Sequence, residues 1–162
     1  MRTDDPQPPG PEWLRQVIGL DYFASVVSVR INLASDEYLD ATSELPDLRD
    51  LRIACDSKIS DRAWENLTRF TSLESLYLRG MRDSATSNLC GLNRLRLLYI
   101  TNTDITDAGL VNLKELHALR TLNLGGTKVT DAGVASLRAA LPNCRVTDHR
   151  GRSQRPGLRS PG

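Results

Sequence analysis

One apolar figure recurs along the chain. Leu48-Arg-Asp-Leu51-Arg-Ile53, Leu73-Glu-Ser-Leu76-Tyr-Leu78, Leu95-Arg-Leu-Leu98-Tyr-Ile100 and Leu119-Arg-Thr-Leu122-Asn-Leu124 all read L-x-x-L-x-L, and Val26, Val29 and Ile31 make a fifth, worn copy. The copies start near 26, 48, 73, 95 and 119, at spacings of 22, 25, 22 and 24 residues. Within each copy the last three positions alternate apolar, polar, apolar, which predicts a strand with one face buried and one face open. Behind the strand the period changes. After Ile105 come Thr106-Asp107 and then Leu110, Leu113 and Leu116, spaced to line one side of a helix or 3-10 segment. Thr106 and Thr130 stand where a hydroxyl can accept from an orphan amide at a helix start, and Asp107 and Asp131 put negative charge in the first turn. Ser60-Asp61 repeats the device ahead of Trp64 and Leu67. Gly109 and Gly133 are expected to let that helix start lie close against the strand layer, with a plain solvent-facing glycine as the alternative.

A unit of strand, turn and helical return at this period, headed by L-x-x-L-x-L, predicts an α/β fold of the leucine-rich repeat solenoid type. The expected shape is a right-handed horseshoe arc, with a parallel β-sheet on the concave face and short helices or 3-10 turns on the convex face. The copy from Leu73 departs from its neighbours: Asp83 falls where the others hold Ile59, Ile105 and Val129, so its convex side is expected to be an irregular loop or a single short turn. No unit can bury its apolar face alone, so both ends need a cover. Trp13, Leu14, Val17 and Ile18 predict a capping helix over 11–24, completed by Tyr22 and Phe23. Leu141-Pro-Asn-Cys144-Arg-Val146 parallels Leu45-Pro-Asp-Leu48 and predicts a terminal cap strand over 144–147. The folded domain is thus expected over 11–147. Residues 1–10 and the basic, Pro/Gly/Arg-rich 148–162 cannot repay their ordering entropy and are expected to be disordered.

The units T-x-[IV]-T-D-A-G-[LV] after L-x-x-L-x-L, closing on Leu-Pro-Asn-Cys144-Arg-Val146, resemble bacterial leucine-rich repeat proteins related to the cysteine-containing repeats of F-box partners, over residues 12–147. The resemblance implies a curved scaffold whose inner sheet binds protein ligands and which has no catalysis of its own. Its alternative implication is substrate recognition within a ubiquitin-ligase-like complex. The chain departs from the pattern in two ways. The position often Asn or Cys in other leucine-rich repeats holds Asp56, Met81, Thr103 and Thr127, and no F-box segment is visible ahead of the first strand.

Composition narrows the reading. Leu supplies 25 of the 162 residues while aromatic residues make up 5%, so the core is expected to be built on leucine. A net charge of +1 argues against a globally basic nucleic-acid binder, leaving weak association through a basic face and tail as an alternative. Met1–Pro11 shows no apolar signal region, and the stretch Gln16–Val29, 14 residues with Asp21 inside it, is too short and polar to span a bilayer. Cys55, Cys90 and Cys144 have no paired spacing, which suits a reducing compartment, so a cytoplasmic monomer is expected.

Chemistry-bearing residues are few. His117, expected on the convex helix, and His149, in the tail, share no metal-ligand or triad spacing. Cys144 takes a repeat position held by Leu48, Leu95 and Leu119, Cys90 follows Leu89, and both read as packing; Cys55, just after a strand, is open to being either a reactive thiol or filler. Gly125-Gly126 lacks the further Gly, Lys and Ser/Thr of a phosphate loop. The Thr-Asp pairs are better explained by helix capping than by a calcium site. No catalytic residue, cofactor or metal is expected.

The open face of the strands carries the functional expectation. Its central row reads Arg30, Arg52, Tyr77, Tyr99, Asn123, flanked by Arg49, Glu74, Arg96 and Arg120 on one side and Arg79 and Thr101 on the other, with Asp50, Ser75, Leu97 and Thr121 between. Six arginines thus face two acids on a chain that is nearly neutral overall. Arginine offers a planar fork to carboxylates and stacks on aromatic rings, and Tyr and Arg are enriched at binding hot spots. The bland alternative is that these arginines only solubilise the strands. The expected function is non-enzymatic protein binding, with an acidic peptide or protein segment held by Arg30, Arg49, Arg52, Tyr77, Arg79, Arg96, Tyr99, Arg120 and Asn123.

Overall fold

Six parallel strands form one sheet in strict chain order: β1 (Ser28–Ile31), β2 (Asp50–Ile53), β3 (Ser75–Leu78), β4 (Leu97–Ile100), β5 (Thr121–Asn123) and β6 (Arg145–Thr147). They come from a computed structural model of the chain that describes residues 27–31, 36–43, 45, 47–53 and 59–153. The expected capping helix over 11–24, Cys55, and the ends of the chain before 27 and beyond 153 lie outside the described residues. Between strands run helix α1 (Asp36–Thr42), helix α2 (Asp61–Trp64) continuing into a 3-10 helix Glu65–Arg69, a second 3-10 helix Asp83–Leu89, helix α3 (Asp107–Leu113) and helix α4 (Asp131–Ala140). Each helical segment packs on the next along the chain, as the strands do. Among the described residues, no helix is long and apolar enough to cross a membrane.

The register explains why leucine recurs. Leu51, Leu76, Leu98, Leu122 and Val146 lie in one row across the sheet, and Ile53, Leu78 and Ile100 in the next. All of these side chains are buried, as are Leu48, Leu73, Leu95 and Leu119 at the head of each unit. Burying each such side chain is worth about 1.5–3 kcal/mol, but only when the rungs on both sides are present to cover it. The backbone adds a second regularity. The carbonyls of Val27, Arg49, Glu74 and Arg96 each accept from two successive N–H groups of the following unit, for example Arg49 from Glu74 and Ser75 at 2.8 Å each. That doubled acceptance inserts one extra residue before every internal strand and turns its side chain to solvent. At β6 the extra residue is missing, and Arg120 accepts only from Arg145.

Behind the sheet a carboxylate ladder ties unit to unit. Asp83 accepts from the Thr106 backbone N–H at 2.9 Å and from its hydroxyl at 2.5 Å. Asp107 does the same for Thr130 at 2.8 and 2.6 Å. Lower down, Asp36 accepts from the Ser60 N–H at 3.0 Å and Asp61 from the Ser84 hydroxyl at 3.3 Å. The same hydroxyls cap their own helices: Ser60, Thr106 and Thr130 accept from Ala63, Ala108 and Gly133 respectively. Three expectations change. Asp83 does not replace Ile105 in the turn; it opens a helical segment and fills the role of Asp107, because its unit is two residues short. The convex side of that unit is a seven-residue 3-10 helix rather than a loop or single turn, with Ala85, Thr86 and Leu89 buried. Gly109 and Gly133 face the carboxylates of Asp83 and Asp107 from the preceding unit, not the strand layer, and a Cβ at either position would collide with them.

The chain also folds beyond residue 147, where the disordered tail was expected to begin. Asp148 is buried and accepts from the backbone N–H groups of Arg150 and Arg152, and from the Arg152 Nε at 2.8 Å. Ser153 forms an antiparallel bridge with Thr147. Arg152 also donates to Asp131 at 3.0 Å, so at the last unit an arginine supplies what a threonine supplies elsewhere on the ladder.

Candidate functional site

Strand alternation sends Leu51, Ile53 and their equivalents toward the helices and leaves Asp50, Arg52 and their equivalents half-buried on the opposite face. Register then sets Arg30, Arg52, Tyr77, Tyr99 and Asn123 side by side, one per strand, with Thr147 next on β6. The three central side chains are already stacked on one another. The Arg52 guanidinium carbon lies 4.4 Å from the Tyr77 ring centroid, and the Tyr77 and Tyr99 centroids are 4.8 Å apart with 21° between planes. Asp50 fixes the other end of the stack by accepting from Arg52 Nε at 3.0 Å and from the Ser28 hydroxyl at 3.1 Å. That hydrogen bond, with the charge of Asp50, raises the Arg52 pKa above its ordinary value, so the guanidinium stays charged.

Arg30, Arg52, Arg79, Tyr77, Tyr99 and Thr101 border a shallow depression of about 250 Å³, floored by Ile53 and Leu78. These residues come from four strands and the turns after two of them, so only the stacking of units brings them together. The remaining sequence-predicted residues are placed differently. Arg49, Arg96 and Arg120 stand exposed on the row of inserted residues, where Arg49 meets Glu74 at 3.7 Å. Asn123 turns its side-chain oxygen to the Gly125 N–H at 2.9 Å and so serves its own turn. Arg145, exposed in β6 in register with Thr121, extends the basic character of the face and was not singled out from sequence. The missing inserted residue before β6 hid its register. The role of Asp50 as the partner that holds Arg52 was also missed, although the i, i+2 spacing of the two on one strand face carried the signal.

The other candidate chemistry is scattered. His117 lies exposed in the turn after α3 rather than on a helix. Cys144 is buried, and burial pushes its thiol pKa up to about 11. Cys90 is half-buried, with its sulfur 3.6 Å from the Asn112 carbonyl, and burial raises its pKa as well. Burial therefore favours the protonated form of both thiols.

A parallel sheet in chain order, with leucines stacked rung on rung behind it and a short helical return in every unit, is the architecture of leucine-rich repeat proteins. Among solved structures the chain is similar to an internalin from Listeria monocytogenes, a leucine-rich repeat protein, with a TM-score of 0.52 and 25% identity over 65% of this chain. The match takes in 29% of the internalin, so the chain spans under a third of that protein's length. It is also similar in fold to Chaetomium Mex67:Mtr2 subunits, with a TM-score of 0.50 and 12% identity over 86% of this chain and 90% of the other. No protein-family model matches the sequence, and no curated protein matches it.

Proposed function

We propose that the chain is a non-enzymatic binding module that takes an acidic segment of another protein on the open face of its sheet. In this reading the units form a right-handed solenoid arc, the sheet is its concave side, and a monomer suffices. The carrying observation is the unbroken row Arg30–Arg52–Tyr77–Tyr99, whose middle members are held in place before any partner arrives. Side chains already stacked and ion-paired lose little rotamer freedom on binding, which is where much of the cost of association otherwise lies. Charge supports an acidic partner. Of the six arginines expected on the face, Arg30, Arg79, Arg96 and Arg120 form no ion pair among the described residues. Six strands about 4.8 Å apart present a front of roughly 24 Å, suited to an extended peptide, a helix or one edge of a small domain.

The test is binding of degenerate twelve-residue peptides, half Asp and Glu, to the wild type and to Arg52→Glu and Tyr77→Ala variants. The expected result is at least tenfold weaker binding by both variants with melting curves that overlay the wild type. Variants that bind as the wild type does would overturn the reading, and variants that unfold would place these side chains in the core instead.

A further inference from the structure

Two features of the depression restrict what it can accept. The first is charge. Three arginines, Arg30, Arg52 and Arg79, line it, and the carboxylate of Asp50 is ion-paired with Arg52. Arg30 and Arg79 have no acidic partner among the described residues, which leaves two positive charges facing one small volume. A single side-chain carboxylate would neutralise half of that; a phosphoryl group carries about −1.5 to −2 at pH 7 and offers three acceptor oxygens. Arginine forks are suited to bind such a group bidentately.

The second feature is the aromatic stack. One face of the Tyr77 ring is covered by Arg52 and the other by Tyr99, and Tyr77 in turn covers one face of Tyr99. A base or an aromatic side chain stacking on Tyr77 would have to displace a stack the protein has already formed. Tyr77 therefore serves as a wall rather than a platform, which disfavours single-stranded nucleic acid, whose affinity depends on stacking against open aromatic faces. Thr101, on the border of the depression, adds a hydroxyl on the Tyr99 side.

Resting on the acidic-segment reading above, we propose that the depression between Arg30 and Arg79 receives the phosphoryl group of a phosphoserine or phosphothreonine in the partner segment. Arg30 and Arg79 grip it from β1 and from the turn after β3, two strands apart, while the Asp50-held Arg52 supplies a fixed charge beneath. Binding is then switched on by phosphorylation of the partner.

The experiment measures affinity of the full chain for degenerate peptide libraries that share their flanking positions and differ only at the centre, carrying Ser, phosphoserine, Glu or phosphotyrosine. A mixed-sequence single-stranded RNA is a fifth arm. The phosphoserine library should bind at least tenfold tighter than the Ser and Glu libraries and tighter than the phosphotyrosine library. Arg30→Gln and Arg79→Gln should each erase that preference, and Arg94→Gln, in the turn before β4, should leave it intact. Equal affinity for phosphoserine and Glu overturns this inference while the acidic-segment reading stands. Failure of every peptide library to bind overturns both. RNA bound more tightly than any peptide also overturns both, and preference for phosphotyrosine overturns the part assigned to the closed stack.

Discussion

The most demanding positions in this chain are two glycines. Gly133 sits where the Asp107 carboxylate must reach the Thr130 amide and hydroxyl, and Gly109 stands in the same relation to Asp83 and Thr106. A methyl at Gly133 forces the carboxylate away and breaks both bonds, so Gly133→Ala should cost about 1–3 kcal/mol in denaturant unfolding. Gly91, which has open space where a Cβ would stand, is the matched control, and its change to Ala should stay within about 0.5 kcal/mol. Asp107 and Asp36 set a pH dependence. The side-chain and backbone hydrogen bonds from Thr130 hold Asp107 below its ordinary value of 3.8, and those from Ser60 do so for Asp36. A carboxylate whose folded pKa is depressed contributes stability that is fully present above the unfolded value and is lost as pH falls through the folded one. Urea midpoints should therefore hold steady from neutrality down to about pH 5 and decline below about pH 4. Asp107→Asn should make that decline shallower, and an unchanged decline would remove Asp107 from the account.

At the scale of the element, each strand and its helical return is stable only through its neighbours. Leu98 lies fully buried between Leu76 and Leu122, and Leu98→Ala should cost about 2–5 kcal/mol, read from the shift in denaturation midpoint. The ties between units are unequal. Asp83 and Asp107 each make two short bonds to the following unit, whereas among the described residues Asp61 reaches the next through the Ser84 hydroxyl alone, at 3.3 Å. Arg82, which precedes the second 3-10 helix, makes no side-chain cap bond. The junction between the 3-10 segments Glu65–Arg69 and Asp83–Leu89 should thus open first, with its amides exchanging hydrogen faster than those of α3 and α4; uniform protection across units would count against it. These elements also mark the limits of sequence reading. Strand positions and the outward row were legible because alternation and the leucine interval are local patterns. The ladder was not, because Asp107 and Thr130 are 23 residues apart and each has a complete local explanation as a helix-start residue. Asp83 was misaligned for a related reason: counting from the strand overlooks a two-residue deletion that the helix start reveals.

For the whole molecule, the sheet divides the chain's chemistry between its two sides. Asp36, Asp61, Asp83 and Asp107 on the helical side hold units together, while Arg30, Arg79, Arg96 and Arg120 on the open side form no ion pair among the described residues. The last unit shows the rule at its boundary, where Arg152 engages Asp131 and buried Asp148 in the absence of a following threonine. Segments expected to be disordered by composition can order when such a partner exists, which composition alone does not reveal. The central claim, that the open face and not the helical side meets the partner, is tested most directly by amide chemical-shift mapping on isotope-labelled protein titrated with the acidic peptides. The account predicts shifts concentrated at Arg30, Arg52, Tyr77, Arg79, Tyr99 and Thr101, with Asp107–Leu113 and Asp131–Ala140 unmoved. Shifts centred on those two helices, with the tyrosine row silent, would contradict it.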